Sequence, residues 1–324
     1  MTYRSHCRRA VECAVTPNGY DSPKRIYPRP TDSDVMARVL CAGHVNWDVT
    51  LQVDRLPDPD GEAQIVEQCQ SGGGSASNTA VVLAGLDVDT SLLGSVGADE
   101  HGWLVRRELD DAGVDTALVE SERPTAVKYL VVDEDGEVMV LGNDGANEAF
   151  EAETVDTGTL DDAKQVHLTS QRPATATALA RRASEAGCLV SFDPGRRLDE
   201  RAYEPVLEHT DLLFVNDREA DLAADAGLLD GVERVVVKHG AGGATVQTDS
   251  GTTAHPGFAV DPVDTTGAGD AFAAGFIAAS LVGGDEYALA VANACGALAA
   301  RTTGARLAAE WRDIEALLDI GPNR

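Results

Sequence analysis

Short apolar segments alternate with amphipathic segments along most of this chain, and no other feature of the sequence limits the possible folds as strongly. Strands are predicted at 39–43, 90–96, 165–169, 188–193, 211–215, 233–238 and 243–247. Helices are predicted at 75–86, 100–112, 174–187, 199–209 and 216–227, and three more follow at 268–282, 285–302 and 307–318. Such βα alternation predicts an α/β protein in which a mostly parallel central sheet is covered by helices on both faces, giving three α/β/α layers.

Two segments interrupt the alternation with apolar residues at every second position, which is the period of a half-buried strand. The first pairs 46–53 with 63–70, and the second pairs 125–132 with 137–141. The sequence Asp-Glu-Asp-Gly at 133–136 supplies a hairpin turn for the second pair. We expect these strands, which lie within 46–70 and 125–141, to form a small β-sheet lid outside the main layer.

The first 35 residues differ from the rest of the chain. They contain six basic and four acidic residues, four prolines, and neither a helical nor a strand period. Met36 directly precedes the first predicted strand. The sequence therefore predicts a disordered N-terminal extension at 1–35 and one domain at 36–324.

The chain is strongly acidic, with 54 acidic residues against 26 basic ones and a net charge of −28. This charge excludes nucleic acid and anionic membrane surfaces as main partners, because both select clustered lysine and arginine. Only four of the basic residues are lysines, which favours the cytoplasm of a salt-accumulating cell over an ordinary acidic enzyme. The six cysteines show no metal-site or CxxC spacing, and no apolar stretch could span a bilayer, so we predict a soluble cytoplasmic protein.

A polar, glycine-rich turn at 264–270 opens directly into an apolar helix. At such a junction the backbone N–H groups of Gly267, Ala268 and Gly269 are free, and the helix dipole adds positive potential. These groups predict an anion hole suited to a transferring phosphoryl group. Asp270 stands beside it, where its carboxylate could accept a proton from an attacking hydroxyl. Taken alone, the same motif could be a turn followed by a capped helix.

A second glycine-rich turn, at 71–80, also enters a helix, and Asp48 follows the end of the first strand. Both features fall at the carboxyl ends of strands, where ligands bind in parallel α/β sheets. Asp48 and Asn78 could hydrogen-bond vicinal hydroxyls, while Gly73 and Gly74 would let a ligand lie against the backbone. The two turns together predict a hydroxylated acceptor beside a phosphoryl donor.

In this order the motifs resemble those of the PfkB/ribokinase family of carbohydrate kinases. The similarity spans residues 38–320, and its most specific part is the DTxGAGD signature at Asp264–Asp270. It also includes the glycine turn at Gly73–Asn78, Gly145–Asn147, the NxxE motif at Asn216–Glu219, and the turn at Lys238–Gly243. The resemblance implies the ribokinase-like fold and ATP-dependent phosphorylation of a hydroxyl group on a sugar or sugar-like acceptor.

The resemblance also implies roles for individual residues. Asp270 would be the general base, next to the anion hole. Asn216 and Glu219 would organise Mg²⁺, mostly through water, and the nucleotide would lie against Lys238, Gly240, Gly243 and Asn293. The acceptor would contact Asn46, Asp48, Gly73, Gly74, Asn78 and Gln171. Many members bind a monovalent cation, so K⁺ would lie near Asp264, Thr266 and Gly304. Lid strands in this family often pair across a homodimer, which we therefore expect here.

The chain departs from ribokinases proper at two acceptor positions. Ser75 stands where they carry lysine, and Gln171 where they carry a glutamate that contacts ribose. Two alternatives therefore stay open besides a simple sugar kinase. A nucleoside kinase could stack a base on Trp47. A sugar-phosphate kinase, for example one for a pentose phosphate, would need a cationic pocket, for which the candidates are Lys128, Arg172, Arg196 and Arg197.

Overall fold

Two β-sheets form the framework of the molecule. The computed structural model describes residues 38–304, 306–307 and 309–320, so the predicted extension at 1–35 lies outside the described residues. The strands in this part are β1 (Arg38–Ala42), β2 (Asn46–Val53), β3 (Ile65–Gly73), β4 (Thr90–Gly97), β5 (Asp115–Ser121), β6 (Ala126–Val132), β7 (Val138–Gly142), β8 (Ala163–Thr169), β9 (Leu189–Asp193), β10 (Leu212–Asn216), β11 (Arg234–Lys238), β12 (Ala244–Thr248) and β13 (Gly251–His255).

The larger sheet has the strand order β13-β12-β11-β10-β9-β8-β1-β4-β5 within the described residues. Every neighbouring pair from β5 to β11 is parallel, and β12 and β13 are added antiparallel at one edge. The parallel strands share one carboxyl edge, and the motif residues that follow β1, β8, β9, β10 and β11 are therefore brought together there.

Helices cover both faces of this sheet. They are α1 (Ser75–Gly85), α2 (Glu100–Asp111), α3 (Thr157–Asp162), α4 (Pro173–Glu185), α5 (Glu204–Leu207), α6 (Asp217–Asp225), α7 (Ala268–Ser280), α8 (Asp285–Ala300) and α9 (Trp311–Ile320) in the described part. Strand β1 shows how the layers form, because its successive side chains point to opposite faces. Val39 and Cys41 join the apolar cluster of α1, α7 and α8, whereas Leu40 and Ala42 join that of α4. The predicted three-layer sandwich is confirmed.

The four lid strands form one separate sheet in the order β3-β2-β6-β7. Both predicted antiparallel pairs are present, and a parallel pairing of β2 with β6 joins them. We call this sheet the lid. Strand β3 continues through Gly72 and Gly73, so the second glycine turn begins as strand and ends directly at α1.

Some boundaries differ from those predicted. The helix expected at 199–209 is only the single turn α5, because Pro205 lies in its first turn and a proline ring prevents the helix from continuing upstream. The helix expected at 307–318 begins at Trp311, since Arg306 is held by side chains of α1 and α2. Strands β5 and β13 were not predicted; both are short, mostly exposed edge strands without an apolar period. No helix of the described chain has the length and hydrophobicity needed to span a membrane.

Candidate active site

Asp270 lies in the first turn of α7, where two helix N-termini meet. Gly267 precedes the helix with a left-handed φ of 76°. The Ala268 N–H group donates to the Thr265 carbonyl at 3.2 Å, whereas the N–H groups of Gly267 and Gly269 have no partner in the described structure. The Asn78 side chain of α1 donates a hydrogen bond from Nδ2 to Asp270 Oδ2 at 2.8 Å. Burial raises the pKa of Asp270 to about 6, although the hydrogen bond from Asn78 opposes the shift. Such a carboxylate is ionised at neutral pH and accepts a proton more readily than an ordinary aspartate.

Asp48 and Asn78 form a polar pocket beside Asp270. Both are almost fully buried, and Asp48 Oδ1 and Asn78 Oδ1 have no hydrogen-bond partner among the described residues. Buried polar atoms without partners are rare in proteins and point to a ligand that completes them. A Cβ atom at Gly73 would lie 2.2 Å from Asp48 Oδ2, and Gly74 has a φ of 95° with the His44 carbonyl 2.4 Å from its Cβ position. Only glycine fits at these two positions.

Two other predicted acceptor residues are held by the protein itself. Asn46 Oδ1 accepts a hydrogen bond from Asn147 Nδ2 at 2.7 Å, and Asn147 Oδ1 accepts one from the Val45 backbone at 3.1 Å. Gln171 is fully buried beyond β8; its Nε2 donates to the Ala42 carbonyl at 3.5 Å, while its Oε1 has no partner in the described structure. Asn147 therefore fixes the junction of β1 and β2, and contacts of Asn46 and Gln171 with an acceptor stay predictions.

The predicted nucleotide residues line one cleft of about 670 Å³. This cleft is also bounded by Ala268 and Gly269, so it leads to the anion hole; its other predicted residues are Lys238, Gly240, Gly243 and Asn293. Asn293 Nδ2 donates to the Leu289 carbonyl at 2.7 Å, which leaves Oδ1 on the side of Gly257, another cleft residue. The wall thus presents a hydrogen-bond acceptor in a fixed orientation.

A charged group lies between the cleft and the ends of β9 and β10. Lys238 Nζ bonds Asp193 Oδ2 at 2.7 Å and lies 3.6 Å from the Cβ position of Gly269. Burial alone would lower the pKa of Lys238, but the charge of Asp193 raises it above its usual value. Glu219 is buried at the start of α6, where it forms a reciprocal capping box with Asn216. Burial and the charge of Asp193 raise the pKa of Glu219.

Glu219, Asn216 and Asp193 fit a magnesium ion that keeps most of its water ligands. Mg²⁺ in phosphoryl-transfer sites is held by one or two carboxylates and by substrate phosphates. Glu219 and Asp193 supply two carboxylates whose mutual repulsion a divalent cation would relieve. The described residues contain no cluster of three or more histidine, cysteine or acidic side chains placed to hold a metal by themselves. The binding of Mg²⁺ at these residues stays a prediction.

The three residues predicted to lie near a monovalent cation are brought together. Asp264 Oδ1 accepts a hydrogen bond from the Thr266 backbone at 2.8 Å, and its Oδ2 accepts one from the Gly304 backbone at 3.0 Å. Asp264 therefore ties the loop at 301–304 to the turn that precedes the anion hole. The binding of K⁺ itself stays a prediction.

The cationic candidates for an acceptor phosphate differ in their surroundings. Arg172 bonds Glu151 and the Phe150 carbonyl, whereas Arg197 forms ion pairs with Asp144 and Glu148. Arg196 is exposed. Lys128 is half-buried on β6, opposite Asp48 of β2.

Sequence reasoning missed two residues of this region. Asp193 ends strand β9, a position that could have been noticed by the same rule that singled out Asp48. Arg306 bonds Glu108 of α2 and Ser77 of α1, and its guanidinium occupies the space where Gly72 would carry a Cβ atom. No local pattern predicts Arg306, because its partners lie about 200 residues away in the sequence.

The family model described as pfkB family carbohydrate kinase matches residues 36–312. The chain belongs to the PfkB family. An ATP-dependent ribose-1-phosphate kinase from Halopiger xanaduensis is 61% identical over 282 residues, which cover 84% of this chain and 95% of that protein. A nucleoside kinase from Methanothermobacter thermautotrophicus is 31% identical, with 79% of this chain and 88% of the relative covered.

Solved PfkB-type structures share the fold. Ribokinase from Thermotoga maritima superposes with a TM-score of 0.78 at 25% identity, covering 87% of this chain and 99% of that chain. The Arabidopsis thaliana ribokinase complexed with ribose and ATP gives 0.74 at 25% identity, covering 87% and 98%. The predicted family, fold and enzyme class are confirmed: this PfkB protein is a phosphotransferase that uses ATP to phosphorylate a hydroxyl group of a sugar or sugar-like acceptor.

Proposed function

We propose that this PfkB kinase transfers the γ-phosphoryl group of ATP to the primary hydroxyl of ribose 1-phosphate. The 61% identity to a ribose-1-phosphate kinase, over nearly the full length of that relative, is the observation that carries the choice of acceptor. The departures from ribokinases at Ser75 and Gln171 support a sugar that differs from free ribose. With C1 already esterified, the hydroxyl on C5 is the primary hydroxyl that can be phosphorylated.

In the proposed mechanism Asp48 and Asn78 hold ring hydroxyls, and this contact satisfies their buried unpartnered oxygens. Asp270 in its ionised form accepts the proton of the attacking hydroxyl. The N–H groups of Gly267 and Gly269 stabilise the negative charge of the transferring group, and that of Ala268 can join them once it leaves the Thr265 carbonyl. Glu219 and Asn216, with Asp193 beside them, would hold Mg²⁺ mostly through water, and the ion would supply positive charge at the donor phosphates. The lid covers the acceptor and keeps water from competing for the phosphoryl group.

A nucleoside acceptor is less well supported. The sequence argument for it was that Trp47 could stack on a base, but Trp47 is buried, donates from Nε1 to Gln70, and stacks on the His101 ring. Its aromatic face is therefore already used within the protein. The nucleoside kinases among the relatives are also only about half as similar to this chain as the ribose-1-phosphate kinase.

An acceptor panel tests the proposed function. ATP consumption is measured in concentrated KCl with ribose 1-phosphate, ribose, ribose 5-phosphate and several nucleosides. We expect kcat/KM to be highest for ribose 1-phosphate, and we expect a product with phosphate on both C1 and C5. Ribose 5-phosphate is the matched control, because it has the same charge but its primary hydroxyl is blocked. Higher kcat/KM for a nucleoside or a neutral sugar would refute the proposed acceptor.

The role of Asp270 predicts a pH dependence. A base must be ionised to act, so kcat/KM should fall as the pH drops through the raised pKa of about 6. Asn78→Ala removes a hydrogen bond that favours the ionised carboxylate, so the acid limb of the profile should move to higher pH.

The control for this profile is Asp270→Asn, which keeps the size of the side chain and removes the base. We expect it to retain ATP binding and to lose roughly 10³-fold or more in kcat, since the base acts together with the anion hole. Two results would show that another residue is the general base: near-normal turnover in Asp270→Asn, or an acid limb of the pH profile that Asn78→Ala does not shift.

The fixed orientation of Asn293 predicts selectivity among phosphate donors. Its Oδ1 accepts hydrogen bonds, so it favours the exocyclic amine of adenine over the oxo group of guanine at the same edge. We expect kcat/KM to be higher for ATP than for GTP by about tenfold, the value of one hydrogen bond, and Asn293→Leu to abolish this preference. An unchanged ATP/GTP ratio in the variant, with an unchanged melting temperature, would show that Asn293 does not read the base.

We propose a homodimer formed through the lid. Exposed apolar side chains are concentrated on its strands, at Ile65, Val66, Tyr129, Val138, Met139, Val140 and Leu141, and unpaired strand edges with such residues favour association. Light scattering should give twice the chain mass of 33.9 kDa. Val140→Lys should yield monomers, whereas Trp103→Lys, an equally exposed apolar position on α2, should not. A monomeric wild-type protein would refute this proposal.

The cytoplasmic location and the adaptation to concentrated salt stay predictions.

A further inference from the structure

An acceptor that carries a phosphate meets an electrostatic obstacle in this pocket. Two carboxylates, the buried Asp48 and the partly buried Asp270, already line it, and the whole chain has a net charge of −28. Like charges that approach in a buried site repel strongly because water screens them poorly. Asp48 is placed to hold the sugar and Asp270 is placed to take its proton, so neither charge is dispensable. A cation close to both is needed to balance the phosphate.

Most cations near the carboxyl edge of the sheet are already neutralised by acidic partners. Lys238 is paired with Asp193 on the donor side of the site. Arg172 is paired with Glu151, and Arg197 with Asp144 and Glu148. The charge of Arg306 acts on Asp48, but Arg306 is paired with Glu108 and bonds Ser77. None of these four can turn to a phosphate without leaving an acidic side chain or a buried hydroxyl unsatisfied.

Lys128 differs from all of them. It is the register partner of Asp48 in the parallel pair β2–β6, so the two side chains project from the same face of the lid. In the described structure its ammonium group forms no hydrogen bond and no ion pair, although the side chain is half-buried. The stem passes over Gly142 of β7, whose Cβ position lies 3.9 Å from Lys128 Cγ. The neighbouring Tyr129 points to the opposite, exposed face.

The charge of Lys128 acts on both pocket carboxylates. It opposes the effect of burial on the pKa of Asp48, and it does the same for Asp270. The β2–β6 register places Lys128 on the same face of the lid as Asp48, so its side chain projects toward the space of the acceptor pocket that Asp48 lines. Within the part of the chain that the structure describes, Lys128 combines three properties: it faces this space, it is partly desolvated, and it has no acidic partner of its own.

We propose that Lys128 binds the phosphate group of the acceptor and so makes this site selective for a sugar phosphate over a neutral sugar. The proposal rests on the proposed function, since it assumes that the acceptor is anionic. It assigns recognition of the sugar hydroxyls to Asp48 and Asn78, and recognition of the phosphate to the lid. A lysine suits this task because its ammonium is a compact charge on a flexible stem that can follow a tetrahedral phosphate.

The test compares Lys128→Met, which keeps the stem and removes the charge, with Lys128→Arg, which keeps the charge. Kinetics are measured with ribose 1-phosphate and ATP, and ribose is used as a neutral competitor to report the sugar contacts alone. We expect Lys128→Met to raise the KM for ribose 1-phosphate by about 10- to 100-fold, the range for one charge-assisted hydrogen bond. Inhibition by ribose, the KM for ATP and the melting temperature should be unchanged, and Lys128→Arg should restore most of the affinity.

Arg196→Met is the matched control, because Arg196 is another cation of the same region but is exposed to solvent. We expect it to change the KM for ribose 1-phosphate by less than about threefold, as a screened surface charge would. The proposal is refuted if Lys128→Met leaves this KM unchanged, if it weakens ribose equally, or if Arg196→Met has the larger effect. Failure of the proposed function looks different: the wild-type enzyme itself would then turn over neutral acceptors but not ribose 1-phosphate.

Discussion

The hydrogen bond from Asn78 to Asp270 is the contact on which the rest of the site depends. It joins the first turns of α1 and α7, which belong to segments about 190 residues apart. Because both helices begin at a glycine turn, their free N–H groups and positive dipole ends converge on one point at the carboxyl edge of the sheet. That convergence helps a partly buried aspartate to remain ionised near neutral pH, and it places the base, the anion hole and the hydroxyl-holding side chains within one pocket.

Most of the fold and much of the site could be predicted from local patterns. The βα alternation predicted a parallel sheet between two helical layers, but not the spatial order of its strands. The two glycine turns pointed to Asp270 and Asn78, and the end of the first strand pointed to Asp48, because strand ends and helix starts have sequence signatures. What failed were features decided by tertiary contacts. The last helix begins at Trp311 and not at residue 307, because Arg306 is held by Glu108 and Ser77. Strand β5 has no apolar period, since it is an edge strand that mostly faces solvent.

The chain is strongly acidic although its proposed ligands are anions. Both can hold because the positive potential of the site does not come from surface lysine and arginine. At the donor side it comes mainly from backbone N–H groups at the start of α7, with a local contribution from Lys238, a partly buried ammonium group paired with Asp193. Neither source depends on exposed lysine or arginine, so the surface can carry a large excess of acidic residues without repelling the nucleotide at the point of contact. Short-range hydrogen bonds of this kind are also screened far less by salt than surface ion pairs are.

The position of Asp48 relative to Asp270 is set by the body of the protein even though Asp48 belongs to the lid. Glu108 of α2 accepts hydrogen bonds from the Gly72 backbone and from Arg306. Arg306 also donates a hydrogen bond to the Ser77 hydroxyl of α1. This chain of contacts fastens the end of β3, and through it the start of β2, to the same helix that carries Asn78. The lid is therefore fixed to the helices at the end of β3 and the start of β2, while its strands are exposed away from this end. The reacting groups therefore keep their spacing whatever the outer part of the lid does, because the pocket lies at the anchored end.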